Sequence, residues 1–196
     1  MDELNHWFMW SIASFLILSG LAACAYENQR SANENDTVPV NISDASNQNY
    51  KQVDLYNNSK EKIGQARLAE TPKGVMIQMK VSNLSPGVHG YHIHETGSCE
   101  APDFKSAGEH YNPLTKEHGF NNPKGYHAGD LPNLKVDEDG MVSFTTYTKH
   151  VTLEKGKSNT LLDEDGSALV IHEKADDYKS NPSGESGKRV ACGVIR

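Results

Sequence analysis

The sequence predicts an all-β domain, an antiparallel sandwich or barrel, on three observations. Short runs of β-branched, aliphatic and aromatic residues recur between residues 53 and 195. Clusters of Asn, Ser, Pro, Gly and Asp separate these runs as turns. No segment of this region has the apolar period of a convincing amphipathic helix. Regularly spaced short strands without helices are typical of an antiparallel sandwich or barrel.

Residues 1–23 are expected to form an export signal rather than part of the fold. An apolar run from Trp7 to Leu18 is short for a membrane span and is followed by Leu-Ala-Ala-Cys24. This tetrapeptide resembles the lipoprotein box of bacteria, which makes Cys24 the expected lipidated first residue of the mature chain. The signal departs from the usual pattern because its first residues include Asp2 and Glu3 and no Lys or Arg. An uncleaved membrane anchor is the alternative, and it leads to the same face of the membrane.

Residues 24–48 are predicted to be a flexible polar tether. They are rich in Asn, Ser, Asp and Thr and contain few large apolar side chains. Such a segment cannot bury enough surface to order itself. It would hold residues 49–196 off the membrane. This remainder has an ordinary size for one domain with its own core.

The predicted strands fall into two groups on either side of a long loop. Those before the loop are Val53–Tyr56, Lys62–Leu68, Gly74–Val81 and Val88–His94. Those after it are Leu134–Val136, Val142–Tyr147, Ala168–His172 and Val190–Ile195. The segment Asp137-Glu138-Asp139-Gly140 predicts a hairpin turn within the second group.

Six of the nine histidines and one aspartate are spaced as metal ligands are. They are His92, His94, His110, His118, His127, His172 and Asp130. The two-residue period of a strand places His92 and His94 on one face. His110 to Asp130 belong to a loop interrupted by Pro and Gly, and a long ordered loop is usually functional. Three His and one Asp suit a closed zinc site, whereas an all-imidazole set with an open position suits copper.

The alternative is that each histidine is separate, either at the surface or bonded to backbone in the core. Buried imidazoles gathered without a shared task would be unfavourable, so the pattern favours a metal site. We expect no metal role for the other three, His6, His89 and His150. Since His89 has the opposite strand parity to His92, it is expected to pack or hydrogen-bond in the core.

Six motifs occur in order along the chain. They are Gly-Tyr-His92-Ile-His94-Glu, Gly-Glu-His110-Tyr-Asn-Pro, Lys-Glu-His118-Gly, His127-Ala-Gly-Asp130-Leu, Val-Ile-His172-Glu-Lys-Ala-Asp-Asp and Arg189-Val-Ala-Cys192-Gly-Val-Ile. Together they closely resemble the copper/zinc superoxide dismutases, and the resemblance runs from about Gln52 to Ile195. It implies an eight-stranded antiparallel Greek-key β-barrel of immunoglobulin-like architecture, with long metal-binding and electrostatic loops. The implied reaction converts superoxide to dioxygen and hydrogen peroxide.

The resemblance also implies a role for each site residue. Copper would be bound by His92, His94, His110 and His172, and zinc by His110, His118, His127 and Asp130. His110 would then bridge the two ions as an imidazolate and pass a proton to the product. Asp176 matches a carboxylate that links His92 to His118, and Arg189 matches a guanidinium that orients superoxide beside copper.

The resemblance further implies a disulfide between Cys99 and Cys192. A disulfide can form and persist in an exported protein. Two buried free thiols are the alternative.

The formal net charge of −7 at pH 7 does not suit nucleic acid, and it does not attract an anionic substrate. Attraction must therefore be local, and Lys179, Lys188 and Arg189 lie in or beside the expected electrostatic loop at residues 177–190. Glu109 departs from the family, which often has proline before the bridging histidine. A carboxylate there would weaken the local positive potential if it points into the channel.

The leading hypothesis is an exported superoxide dismutase, lipid-anchored to the outer face of a bacterial cell membrane, for antioxidant defence at the cell surface. A non-enzymatic copper- or zinc-binding lipoprotein of the same fold is the second hypothesis. A structural or adhesive β-sandwich is the third, and the clustered histidines argue against it. The sequence is compatible with a homodimer but does not determine the oligomeric state.

Overall fold

A computed structural model describes residues 50–196, which contain nine strands and one short 3-10 helix at Lys105–Ala107. The strands are β1 (Lys51–Asn57), β2 (Lys62–Thr71), β3 (Gly74–Val81), β4 (Gly87–His89), β5 (Tyr91–His94), β6 (Leu134–Val136), β7 (Val142–Thr148), β8 (Ser167–His172) and β9 (Arg189–Ile195). No helix in this range is long and apolar enough to cross a membrane. The predicted export signal, tether and lipidated Cys24 lie outside the described residues and stay predictions.

The strands form one large antiparallel sheet and one small one. The large sheet has the order β5-β8-β9-β1-β2-β3-β7, and the small sheet pairs β4 with β6. The neighbours β1 and β9, like β3 and β7, are distant in sequence, so long connections bring them together. This connectivity, with the curl of the large sheet, confirms the predicted antiparallel Greek-key barrel.

Alternating burial explains why these residues form strands around one core. In β3 the side chains of Val75, Ile77, Met79 and Val81 are buried, and those between them are more exposed. This two-residue period is that of a strand with one face on the core. The barrel interior continues through β5, where Tyr91 and Ile93 are fully buried.

Strand β5 is the element that connects the core to the site. It lies at an edge of the large sheet, yet all four of its residues are buried. Tyr91 and Ile93 belong to the core cluster, while His92 and His94 alternate with them and so point the other way. Because His92 and His94 are also buried, another part of the chain covers this outer face, namely the loop between β5 and β6.

The prediction of a single strand from Val88 to His94 is wrong, because the chain changes sheets at Gly90. The N–H of Gly90 donates to the Lys174 carbonyl at 2.8 Å, and its carbonyl accepts from the His172 N–H at 2.8 Å. A Cβ at Gly90 would lie 3.1 Å from the Ser186 Cβ and 3.2 Å from the Asp176 Cβ. The predicted run is therefore divided between β4, which pairs with β6, and β5, which pairs with β8.

The predicted disulfide forms between Cys99 and Cys192, which are separated by 93 residues in sequence. It attaches the start of the long loop to β9. Cys192 is fully buried in a small cluster with Phe104, Ala107, Ala168 and Val170. Two free thiols, the alternative, are thereby excluded.

Candidate metal centre

The long loop returns to β5 and covers its outer face through backbone hydrogen bonds. The Ile93 N–H donates to the Gly129 carbonyl at 2.9 Å, and the Tyr111 N–H donates to the Ile93 carbonyl at 2.8 Å. A third bond joins the Gly129 N–H to the Tyr111 carbonyl at 2.8 Å. Only glycine fits at position 129, since a Cβ there would lie 2.2 Å from the Ile93 carbonyl oxygen. This contact places the loop histidines against His92 and His94.

Four buried imidazoles meet in a first set, which consists of His92, His94, His110 and His172. In each of them one ring nitrogen is buried and has no hydrogen-bond partner within residues 50–196. These atoms are His92 Nδ1, His94 Nε2, His110 Nε2 and His172 Nε2. Four such nitrogens without a partner would be unfavourable in a metal-free role, because buried polar groups are normally paired. Their convergence fits a single metal ion bound only by imidazole.

The opposite nitrogen of three of these rings is held by the protein. His92 Nε2 lies 2.8 Å from Asp176 Oδ2, His94 Nδ1 lies 2.9 Å from the Gly108 carbonyl and His172 Nδ1 lies 3.3 Å from the Gly187 carbonyl. All three partners are hydrogen-bond acceptors, so the ring nitrogen beside each carries the proton. The free lone pair is then on the unpartnered nitrogen, as metal binding requires.

The second set contains His110, His118, His127 and Asp130. Asp130 Oδ1 lies 2.9 Å from Nδ1 of His110, and 3.1 Å from Nδ1 of both His118 and His127. Four ligand atoms about 2 Å from a tetrahedral zinc ion stand about 3.3 Å apart. The 3.4 Å between the Nδ1 atoms of His127 and His110 also agrees with that spacing. The donor set and its spacing thus fit a closed zinc site.

His110 belongs to both sets. Its Nε2 faces the first set and its Nδ1 faces the second. A neutral imidazole offers one lone pair, so serving both sets requires the ring to lose its remaining proton. The geometry is that of a histidine able to bridge two ions.

Asp176 connects the two sets from behind. Its Oδ1 lies 3.0 Å from Nε2 of His118, and its Oδ2 contacts His92 as described above. Asn133 fixes the Asp176 backbone by a reciprocal pair of bonds of 2.9 and 2.8 Å. Gly184 leaves room for the carboxylate, because a Cβ at that position would lie 1.8 Å from Asp176 Oδ1.

Burial keeps the first set neutral. It lowers the pKa of His110 to about 3 and that of His172 to about 2, with the neighbouring His92 adding to both effects. Burial also lowers the pKa of His94 well below its ordinary value. Neutral imidazole is the form that binds a metal, so these rings are ready for one at neutral pH.

The second set has the opposite electrostatic character. Burial acts to lower the pKa of His118, but hydrogen bonds to Asp130 and then Asp176 overcome it and raise the pKa to about 9. For Asp130 burial acts to raise the pKa, and hydrogen bonds from His110, His118 and His127 lower it well below the usual range. A carboxylate that stays ionised is the ligand that a dication favours.

Arg189 begins β9 beside the first set. Its Nη1 donates to the Phe104 carbonyl and its Nη2 to the Gly108 carbonyl, each at 2.7 Å. Its positive charge contributes to lowering the pKa of both His94 and His172, as proximity to these rings requires. The guanidinium is therefore held at a fixed position close to His94 and His172 of the first set.

The charged residues around Arg189 differ from those expected. Lys188 lines the same surface opening as Arg189, but Lys179 does not. Lys105, which sequence reasoning missed, lines it as well. Lys105 reaches this opening because the loop that begins at Cys99 folds back onto β9. A single lysine in that loop does not predict such a contact from sequence.

Of the three remaining histidines, the two in the described residues, His89 and His150, belong to neither set. His89 is buried, with Nδ1 2.7 Å from the His172 carbonyl and Nε2 2.8 Å from the Ser85 carbonyl. His150 is exposed and pairs with the Tyr126 hydroxyl at 2.7 Å. His6 lies outside the described residues.

Comparison with known proteins gives one family. The family model described as copper/zinc superoxide dismutase matches residues 62–195. A superoxide dismutase [Cu-Zn] of Aquifex aeolicus is 52% identical over 145 residues, which are 74% of this chain and 86% of that protein. A second, from Caulobacter vibrioides, is 44% identical over 135 residues, 68% of this chain and 78% of the relative.

A solved structure agrees with this result. The crystal structure of a SOD-like protein from Bacillus subtilis superposes with a TM-score of 0.73 at 48% sequence identity. The match covers 76% of this chain and all of the Bacillus chain. Fold and sequence thus point to the same set of relatives.

Proposed function

The chain belongs to the copper/zinc superoxide dismutase family, and we propose that it carries out this reaction outside the cytoplasm, attached by lipid on Cys24 to the outer face of a bacterial membrane. The enzyme class follows from relatives named as copper/zinc superoxide dismutases at 44 to 52% identity over most of the chain. Superoxide is the substrate, and dioxygen and hydrogen peroxide are the products. The location and the role of each residue are the proposed part.

The observation that carries the residue roles is the meeting of four unpartnered imidazole nitrogens beside Arg189. We assign copper to His92, His94, His110 and His172, because an all-imidazole set suits copper. We assign zinc to His110, His118, His127 and Asp130, because three His and one Asp close a tetrahedral site. Bound copper supplies the one-electron redox chemistry of dismutation, and zinc supplies none.

The protein contributes charge and a proton at two places. The Arg189 guanidinium presents a fixed positive charge that holds and orients the superoxide anion. With Nδ1 on the zinc side, Nε2 is the one atom of His110 that could carry a proton to the product, and it could do so only while it is not bound to copper. Asp176 keeps His92 and His118 in their binding tautomers while this proceeds.

A non-enzymatic metal-binding lipoprotein of the same fold is the alternative. A storage protein needs the metal ligands but has no need of a cation fixed beside them. Arg189 is present, and both of its Nη atoms are held in place by carbonyls. We therefore favour the enzyme.

Superoxide decay tests this assignment most simply. The full-length protein is loaded either with copper and zinc or with zinc alone, and the decay of superoxide is followed by stopped flow. We expect fast decay only with both metals. Equal decay in the two preparations, or none in either, would overturn the assignment.

The membrane attachment has a separate test. Cells producing the wild-type chain or the Cys24→Ser variant are fractionated, and the protein is detected in membrane and soluble fractions. We expect the wild type in the membrane fraction with lipid on Cys24, and the variant without lipid. Unmodified Cys24 in the wild type would contradict the lipoprotein proposal.

The homodimer remains a prediction with its own measurement. Phe120 and Tyr147 are exposed beside one shallow groove of the described surface, where a second copy would bury apolar area. Sedimentation equilibrium of the metal-loaded protein distinguishes the states. A monomer at every concentration would contradict the dimer.

A further inference from the structure

The opening beside Arg189 is charged on both sides. Three cations line it, Lys105, Lys188 and Arg189, and two carboxylates line it with them, Asp103 and Glu109. A small anion that enters this opening comes under the influence of all five charges. The balance among these charges therefore determines how strongly the opening attracts superoxide.

Two of the five charges offset each other. Lys105 Nζ lies 3.2 Å from Asp103 Oδ2, and both side chains are largely exposed. At the distance of an approaching ion, such a pair acts as a small dipole rather than a charge. Lys188 and Arg189 are left against Glu109.

Glu109 is fixed in position although its side chain is exposed. Its N–H donates to Glu95 Oε1 at 3.1 Å, and its carbonyl accepts from the Glu95 N–H at 2.9 Å. The next residue is His110 of the first set, so the backbone here cannot shift without moving a ligand. Across residues 50–196, no Lys, Arg or His comes within 4.0 Å of the Glu109 carboxylate.

The charge of Glu109 reaches the substrate-binding cation. Burial lowers the pKa of Arg189, and the negative charge of Glu109, followed by that of Asp103, acts against this. A carboxylate that stabilises the guanidinium cation also opposes an anion approaching it. The charge of Glu109 therefore stabilises the Arg189 cation and destabilises a superoxide anion beside it.

We propose that Glu109 limits anion capture in this enzyme by repelling superoxide from the opening to Arg189. The inference rests on the superoxide dismutase activity and adds a residue that sets its rate. A single charge about 8 Å away in water changes an encounter rate by about twofold at low ionic strength, and salt reduces the effect. The wild-type rate will depend less steeply on salt than that of a variant without this carboxylate, because the negative charge of Glu109 offsets one of the two positive charges of Lys188 and Arg189.

The test compares Glu109→Gln and Glu109→Lys with the wild type and with Glu138→Gln. Glu138 is exposed in the turn between β6 and β7 and does not line the opening, so its substitution makes the same change in net charge elsewhere. The copper- and zinc-loaded full-length proteins are mixed with superoxide from about 10 mM to about 200 mM ionic strength. We expect kcat/KM at low salt to rise about twofold for Glu109→Gln and about fourfold for Glu109→Lys. Both rates should then fall with salt more steeply than those of the wild type and Glu138→Gln.

A second readout does not depend on turnover. Azide, a small anion, is titrated into each loaded protein and followed through the visible absorption of copper. We expect its affinity at low salt to increase about twofold in Glu109→Gln and not in Glu138→Gln.

The outcomes separate the two claims. Active proteins in which Glu109→Gln and Glu138→Gln share one salt slope and one azide affinity would overturn the role of Glu109. A loaded wild type without activity would overturn the proposed function, and the azide affinities would still decide whether Glu109 repels anions.

Discussion

Nε2 of His92 lies 2.8 Å from Oδ2 of Asp176, and both side chains are fully buried. This contact places the ring proton on Nε2 and leaves the lone pair on Nδ1, the atom that faces the other histidines of the copper set. The second oxygen of the same carboxylate, Oδ1, contacts Nε2 of His118 and fixes the tautomer of that ring in the second set, to which we assign zinc. One carboxylate thus orients one proposed ligand of each metal.

Replacing Asp176 should therefore weaken both metals together. In Asp176→Ala, His92 and His118 lose the acceptor that fixes their tautomer, and we expect the affinity for each metal to fall by about 10- to 100-fold. Competition with chelators of known affinity measures this. Glu173→Ala, which removes an exposed carboxylate of the same loop, is the control and should bind both metals as the wild type does. Loss of one metal only would contradict the linking role.

Gly184 provides a second route to the same carboxylate. It has a φ of +68°, and an added Cβ would lie 1.8 Å from Asp176 Oδ1. We expect Gly184→Ala to displace the carboxylate and weaken zinc binding, beyond the roughly 1 kcal/mol that alanine costs in a left-handed conformation. Zinc affinity and urea unfolding report the two effects.

Gly156→Ala is the matched control for that substitution. Its φ is +80°, but nothing lies within 4 Å of the added Cβ. It should lose about 1 kcal/mol of stability with unchanged zinc affinity. If the two variants bound zinc equally well, the prediction that a side chain at position 184 weakens zinc binding through Asp176 would be contradicted.

The spacing of the histidines was sufficient to select the residues that meet in the two sets. His92 and His94 followed from strand parity, because a two-residue period holds in any strand. The other five residues were selected by their residue types and spacing alone, and only the division of the seven between copper and zinc came from the resemblance, since loop residues have no period from which a position can be derived. The structure brings all seven residues together.

Removing the disulfide should reduce both stability and activity. The Cys99 to Cys192 bond closes a loop of 93 residues, a constraint on the unfolded chain that is worth about 4 to 5 kcal/mol. It also anchors the segment whose Phe104 and Gly108 carbonyls hold Arg189. We expect the Cys99→Ala/Cys192→Ala double variant to unfold at lower urea concentration and to have a lower kcat/KM for superoxide. Unchanged unfolding free energy would show that the native contacts alone hold this loop.

Other features could not be derived from sequence because they depend on distant contacts. A glycine within a β-prone run indicates a bend but does not identify Lys174 and His172 as the partners of Gly90. Lys105 and Glu109 lie near Lys188 and Arg189 only because the loop from Cys99 folds back onto β9. The charge balance of the opening is accordingly a result of the tertiary structure.

The most direct measurement is metal content and superoxide decay in the wild type, His110→Ala and Arg189→Ala. We expect the wild type to bind one copper and one zinc per chain and to be fast, since four ligand atoms converge in each set. His110→Ala should lose affinity for both metals, whereas Arg189→Ala should keep both and be slower by about tenfold through lost attraction and orientation. A wild-type protein that binds zinc but not copper, or that is inactive with both metals bound, would contradict the dismutase account and leave the metal-binding lipoprotein in its place.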